Sequence, residues 1–220
     1  MNISRDHTNH YINEFREYCL QNGFSENNFL SLHNLDSYIG TVVDAFSDYP
    51  VWTESFNGKV EKDTAAAMLK VDFKSRMHSI AGISGDNYES VMLFEPPMTK
   101  TTGILQYITS IDFRSLFLLF HPVTSRIDKF EKYAHKKRQP YTDDKTWYIY
   151  IFTTQKKYQR QGYGKRLIKT AVSFAKEKGY RICLETDLFE NVAMYEAFGF
   201  SLMDSSIYNK SFGHYVMLYS

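Results

Sequence analysis

The stretch YQRQGYGKRL, residues 158–167, sets two glycines, Gly162 and Gly164, among amide and basic side chains. A β-like run, WYIYIFTT, precedes it and a helical run, LIKTAVSFAKEKG, follows it. The first turn of a helix leaves N–H groups without intrahelical acceptors, and the peptide dipoles add partial positive charge there. Glycines let the preceding loop curl so that successive N–H groups converge on phosphate oxygens, which side chains would keep at a distance. Arg160, Lys165 and Arg166 add positive charge around the same spot. These residues predict a site for a pyrophosphate-bearing ligand; the rival reading is a plain strand-to-helix turn with solubilising basic residues. The motif is not G-x-x-x-x-G-K-[ST], because one residue separates the glycines and Arg166 stands where Ser or Thr belongs. Nor is it G-x-G-x-x-G, because Leu167 fills the third glycine place.

A second constellation, LETDLFENVAMYEAFGF (184–200), offers groups that move protons. Tyr195 carries a hydroxyl that can donate, although Val192, Tyr195 and Phe198 also share the spacing of a packed helix face. Asn191 lies one turn earlier on that face, as a ligand-binding amide or as a helix cap. Glu185 sits within the apolar run ICLET: it either faces a cleft, where burial raises its pKa, or meets solvent, Lys or Arg. Asp187 is a second candidate base, closer to the strand end. His121 and His135, in a helical middle region, are more often structural than catalytic in such places. A water chain to bulk solvent is a further route for the proton.

The glycine loop, Gln159-x-x-Gly162-x-Gly164, and the pattern Asn191, Tyr195, Gly199, Phe200 stand one helix and one strand apart. In that order and spacing they resemble the paired motifs of the GNAT N-acetyltransferases. The resemblance covers roughly residues 147–219 and extends to the first half only in element order. WYIYIFTTQKKYQRQGYGKRL, the second constellation, and the approach HKKRQPYTDDKTW look most like the small-molecule branch that includes puromycin N-acetyltransferase. Lys156 stands where a proline is usual, and Arg160 replaces a common glycine; neither removes a backbone donor from the loop.

The resemblance implies a GNAT α/β fold, with a mixed, mostly antiparallel sheet splayed at its central strands and flanked by helices. It implies acetyl-CoA as cosubstrate, entering the opening from the glycine-loop side, and no metal. Phe152, Thr153 and Thr154 would run along the pantetheine arm. Gln159, Arg160, Gln161, Gly162, Tyr163, Gly164 and Lys165 would surround the pyrophosphate, with Asn191 also on the cofactor. Tyr195 would lie near the sulfur as general acid, with Glu185 the candidate base. The implied reaction moves acetyl to a primary amine of a small molecule by direct attack, since neither Cys19 nor Cys183 stands where a covalent nucleophile would. A protein or peptide N-acetyltransferase and a non-catalytic acyl-CoA-binding sensor are the alternatives.

The elements needed to position these residues can be traced along the chain. Helices are expected over 8–22, about 34–47 and from Asp63 on, where Ala65, Leu69, Phe73 and Met77 recur every fourth residue. NFLSLHNL (28–35) reads as a short strand, and HSIAGI and SVMLFE as a hairpin joined by SGDN. Residues 104–138 read as mostly helical, interrupted at Pro122. After EPPMTKTTG this region would form the variable acceptor side. Then come the strand WYIYIFT, a helix ending at Gly179, the strand RICLETD, a helix around NVAMYEAF and two closing strands. By alternation Tyr148, Tyr150 and Phe152 share one face of the central strand and would wall the acceptor pocket or pack under a helix.

With no repeat or convincing linker, residues 1–220 read as one domain: an acceptor half over about 1–146 and an acetyl-CoA half over about 147–220. A net charge of +1 argues against a general attraction to nucleic acid or anionic membrane. Two cysteines among 220 residues make no disulfide framework and suit a reducing, cytoplasmic setting. No apolar run approaches the roughly 18 residues of a membrane span. The chain is expected as a monomer or a homodimer.

Overall fold

The computed structural model describes residues 3–99 and 109–220. Helix α1 (Ile3–Gln21) is followed by α2 (Leu35–Phe46), α3 (Pro50–Ser55) and α4 (Lys62–Arg76). The hairpin β1 (Ala81–Ser84) and β2 (Ser90–Glu95) comes next, then α5 (Pro122–Arg138) and β3 (Thr146–Thr154). The chain closes with α6 (Tyr163–Lys178), β4 (Arg181–Thr186), α7 (Glu190–Glu196), β5 (Ser201–Tyr208) and β6 (Phe212–Tyr219). The sheet has the order β1-β2-β3-β4-β6-β5, antiparallel throughout except for the parallel β3–β4 pair. This is the mixed, mostly antiparallel α/β sheet with flanking helices that the sequence predicts.

Several expectations are corrected in detail. Residues 28–35 form no strand; a short 3₁₀ turn (Glu26–Asn28) leads to a single bridge between Phe29 and Ile83. Asn34 stands at the N-cap of α2, but its side chain accepts from Ser31 N–H and makes no cap bond to the helix. Pro50 opens α3 at a position where its missing N–H costs nothing. Of the predicted helical stretch 104–138, residues 104–108 lie outside the described residues and Phe113–Leu119 is 3₁₀. Pro122 then starts α5, with His121 Nδ1 accepting the Val123 N–H as its cap.

Two features of β3 open the sheet. Its parallel ladder with β4 runs from Thr146↔Arg181 to Ile149↔Leu184 and stops there, leaving residues 150–154 unpaired on that side. Against β2, Leu93 faces Ile151 while Phe94 faces Ile149, so Tyr150 is the extra residue of a β-bulge. A one-residue shift exchanges the faces of everything beyond it. Trp147 and Ile149 therefore point into the core under α1 and α6, whereas Ile151 joins the core under α2 and α4. Phe152 packs on the α6 side, opposite to Tyr150, so the expected single face of Tyr148, Tyr150 and Phe152 is broken by the bulge.

The larger core surrounds Trp147, fully buried, stacked on Phe94 at 4.4 Å and edge-on to Phe174 at 5.5 Å. It joins α1, α6 and the sheet beneath the opening. Truncating an aromatic in such a core costs about 3–5 kcal/mol. Trp147→Ala is expected to lose that much in chemical denaturation, and Trp147→Phe, which keeps the stacking partner, clearly less.

Candidate active site

The opening continues into a cleft of about 2210 Å³ that runs from the glycine loop, between the splayed strands, to α4 and α5. At the loop end, Gly162 is the N-cap of α6 with φ +89°, and a Cβ there would meet open space. Its requirement is conformational. Gly164 differs: a Cβ would stand 3.0 Å from Thr154 Oγ1 and 3.1 Å from the Phe152 ring, so its role is close docking of α6 on β3. Arg160, at φ +60°, occupies the left-handed region without the freedom of glycine. Among the described residues, the N–H groups of residues 160–164 make no hydrogen bond of good geometry with another protein group. An array of free donors at a helix start fits a pyrophosphate.

The side chains around the loop divide the work. The Gln159 amide donates to the Thr154 carbonyl and the Gln161 amide to the Lys157 carbonyl, so both brace the loop. Lys165 and Tyr163 line the cleft. Arg166, in contrast, turns away: it donates to the Gly23 carbonyl, lies over Phe24 at 4.3 Å and faces Asp86 at 3.5 Å. It ties α6 to the end of α1 and does not add charge at the loop, as its sequence position suggests. At position 156 the N–H donates to Asp44 Oδ2 at 2.7 Å, a bond that proline could not make.

The opposite wall comes from β4 and α7. Tyr195 is buried, packed between Phe152 and Phe200, and lines the cleft. Burial pushes its hydroxyl pKa up, which keeps its proton in place. Asn191 is not the cap of α7; its amide donates to Thr186 Oγ1 at 2.9 Å. Tyr49 from the α2–α3 connection reaches the same point, 3.1 Å from Thr186 Oγ1, and accepts the Asp187 N–H at 2.8 Å.

Deeper in the cleft lies a set of charges that sequence reasoning missed apart from Glu185 and Asp187. Arg76 pairs with Asp72 at 2.7 Å and Glu95 at 2.6 Å and covers the Tyr150 ring at 4.5 Å. Tyr150 donates to Asp72 at 2.9 Å. Arg138 covers the Tyr148 ring at 4.2 Å and pairs with Glu185 Oε2 at 3.2 Å, which also accepts from Tyr148 at 2.7 Å. The two readings of Glu185 thus combine: it lines the cleft and pairs with arginine. Burial alone would raise its pKa, but His214, Arg138 and the Tyr148 hydroxyl together hold it below the usual carboxylate value.

His214, fully buried, stands 3.1 Å from Asp187 Oδ1 and 3.4 Å from Glu185 Oε1, the latter long for a hydrogen bond and chiefly a charge contact. Burial disfavours its charge, yet the two carboxylates outweigh this and push its pKa up to about 9. Asp187 is raised by its own burial, against the pull of His214; with Glu185 lowered on the other side, the proton sits on the imidazole. His121 is a helix cap and His135 an exposed residue of α5 at the cleft edge. The missed residues had one local signal, the i,i+4 spacing of Asp72 and Arg76. Nothing local links them to Glu185 or His214.

Comparisons with known proteins place the fold. Residues 128–200 match the acetyltransferase (GNAT) family. No curated protein sequence matches the chain. Among solved structures, a Corynebacterium glutamicum histone acetyltransferase HPA2 and related acetyltransferase superposes with TM-score 0.56 and 14% identity, over 87% of this chain and 94% of that one. The C-terminal condensation domain of Ebony, in complex with β-alanyl-dopamine, gives 0.60 at 10% identity, over 86% and 95%. Arylalkylamine N-acetyltransferase 2 from Aedes aegypti gives 0.52 at 14%, over 86% and 96%. At these identities the likeness is one of fold. The family match covers residues 128–200, about a third of the chain, and the chain as a whole shares the fold of these proteins. Among the described residues no helix is long and apolar enough to cross a membrane.

Two outcomes follow from this geometry. Gly162→Val, which forces a β-branched residue into the left-handed region, is expected to abolish acetyl-CoA binding in calorimetry while the far core stays folded; near-normal affinity would sink the pyrophosphate assignment. The His214 pKa lies above its unfolded value of about 6.5, so the folded state holds the extra proton between those values. Its contribution is complete below about pH 6.5 and lost as pH rises through about 9. Thermal unfolding of the wild type should show that decline, and His214→Gln should lack it.

Proposed function

We propose that the protein transfers an acetyl group from acetyl-CoA to a primary amine of a small molecule, by direct attack of the amine on the thioester carbonyl. The observation that carries this reading is the charge balance of the inner cleft. Five carboxylates, Asp72, Glu95, Glu131, Glu185 and Asp187, face two guanidiniums and one imidazolium there. The surplus suits an acceptor that arrives as an ammonium. Beside it, Phe46, Tyr49 and Trp52 form an aromatic wall, with Phe46 stacked on Tyr49 at 4.8 Å and edge-on to Trp52 at 5.6 Å. That wall gives a compact organic amine apolar contact, in keeping with a fold shared by an arylalkylamine N-acetyltransferase. The motif resemblance to the puromycin N-acetyltransferase branch supports the same acceptor class.

The free edge of β3 at Phe152, Thr153 and Thr154 pairs with the pantetheine amides, and the N–H groups around Gly162 take the pyrophosphate. Asn191, held by Thr186, lies along the same ligand. As the new N–C bond forms, the C–S bond breaks and the thiolate takes the proton of the Tyr195 hydroxyl. Both cysteines are buried and their thiols are pushed up to about 12, which supports transfer without an acyl-enzyme. Glu185, held ionised by its three neighbours, anchors Tyr148, Arg138 and His214 and is a poor base.

A thiol-release screen of acetyl-CoA against polyamines, aminoglycosides, amino acids, nucleoside antibiotics and peptides tests the reading. Amines without a neighbouring carboxylate should outrun their parent amino acids, tyramine over tyrosine for example, and outrun peptides; the reverse order would overturn the acceptor class. Tyr195→Phe keeps the ring and its packing, so acetyl-CoA should bind as before. Loss of the proton donor should lower kcat by about tenfold to a hundredfold, or about 1.4–2.7 kcal/mol of barrier. An unchanged kcat, with chemistry limiting, would leave Tyr195 as a packed aromatic.

A further inference from the structure

The carboxylates of the inner cleft are not equivalent. Asp72 and Glu95 are bound to Arg76, Glu185 to Arg138 and Tyr148, and Asp187 to His214. Glu131, on α5, is half-buried and lines the same cleft, yet among the described residues it makes no hydrogen bond or ion pair. The charges that face it are Arg76 and Asp72 from α4, Glu185 from β4 and Arg138 from its own helix, with the Tyr148 and Tyr150 hydroxyls of β3 also within electrostatic reach. A half-buried carboxylate without a protein partner is left to water or to a ligand in the cleft. The two guanidiniums that face it are bound to other acids.

We propose that Glu131 receives the acceptor ammonium and is the base that removes its proton, on the reading that the cleft is an amine acetylation site. The incoming ammonium supplies the missing partner. Glu131 takes one N–H proton, the freed lone pair forms the N–C bond at the acetyl carbonyl, and the C–S bond breaks. The thiolate leaves as thiol with the Tyr195 proton, the second ammonium proton returns through water to the Tyr195 oxygen, and Glu131 gives its proton to solvent. Chemistry supports the assignment. Burial raises the Glu131 pKa, and although Arg138 opposes this, Glu185 adds to it; the result is about 7. A base with that pKa is about half ionised at neutral pH and basic enough to accept a proton. Glu185, with its lowered pKa, is not.

The test uses the full-length enzyme and the amine that gives the fastest thiol release in a panel of tyramine, spermidine and kanamycin. In the wild type, kcat/KM should rise with pH through about 7 as Glu131 loses its proton. Glu131→Gln, which keeps the shape, should lower kcat/KM by at least tenfold and erase that limb. It should weaken calorimetric binding of the amine and leave acetyl-CoA affinity and Tm close to wild type. Glu131→Asp, one methylene shorter, should recover part of the rate and restore a pH limb. An unchanged pH profile and amine affinity in Glu131→Gln would overturn the proposal. A second readout needs no acceptor: carbon-13 labelling of glutamate carboxyls should show a resonance that titrates near pH 7 and is absent from Glu131→Gln. If no panel amine is turned over, the acetylation reading fails; if the labelled carboxyl instead titrates near 4.5, the proposal for Glu131 fails on its own account.

Discussion

The rest of the site depends on the bulge at Tyr150. With one extra residue between the two ladders of β3, the strand keeps its pairing with β2 on one edge and leaves β4 on the other. Backbone groups beyond Ile149 are left without a sheet partner on that side, a costly arrangement unless water or a ligand pairs with them. The same extra residue turns Phe152 toward Gly164 and Tyr195, while Tyr150 keeps the face of Tyr148, toward α4. One local irregularity thus separates a side facing the glycine loop from a side facing the buried charges.

What keeps the opening from collapsing is polar on one side and apolar on the other. Below the parallel segment, Trp147, Phe94, Phe174 and Phe15 fill the space between α1, α6 and the sheet. Above it, two guanidiniums stacked on tyrosine rings stand where a continuous apolar core would otherwise bring the strands together. Each is compensated by carboxylates, which makes its burial tolerable; removal of one partner would leave a buried charge unpaired. The cleft is held by compensated charges at its inner end and by a tightly docked helix at its outer end.

The docking of α6 explains the glycine loop in two separate ways. Gly162 is needed for its backbone angle, and Gly164 because Thr154 and Phe152 leave no room for a side chain. Arg160 shows that the left-handed conformation next door does not demand glycine when the surrounding loop holds it, at a cost of about 1 kcal/mol. Arg166 shows the limit of reading charge from proximity in sequence. Two residues past Gly164, it leaves the loop altogether and clamps Gly23 and Phe24.

The sequence by itself determined the elements with local causes. Helical spacing marked α2, α4 and α6, short apolar runs marked β2, β3 and β4, and the glycine joint marked the start of α6 and its free donors. These rest on neighbours a few positions apart, which a sequence displays directly. The same locality misled at residues 28–35, where a short apolar run made a single bridge instead of a strand, and at Tyr148, Tyr150 and Phe152. A bulge is a property of two strands in register, and no single strand announces it. The inner charges were further out of reach, because Asp72, Glu131, Glu185 and His214 come from four different elements. Whether Glu185 is a base or an anchor turns on Arg138 and His214, which approach it from 47 and 29 positions away, and only the folded chain brings their charges together.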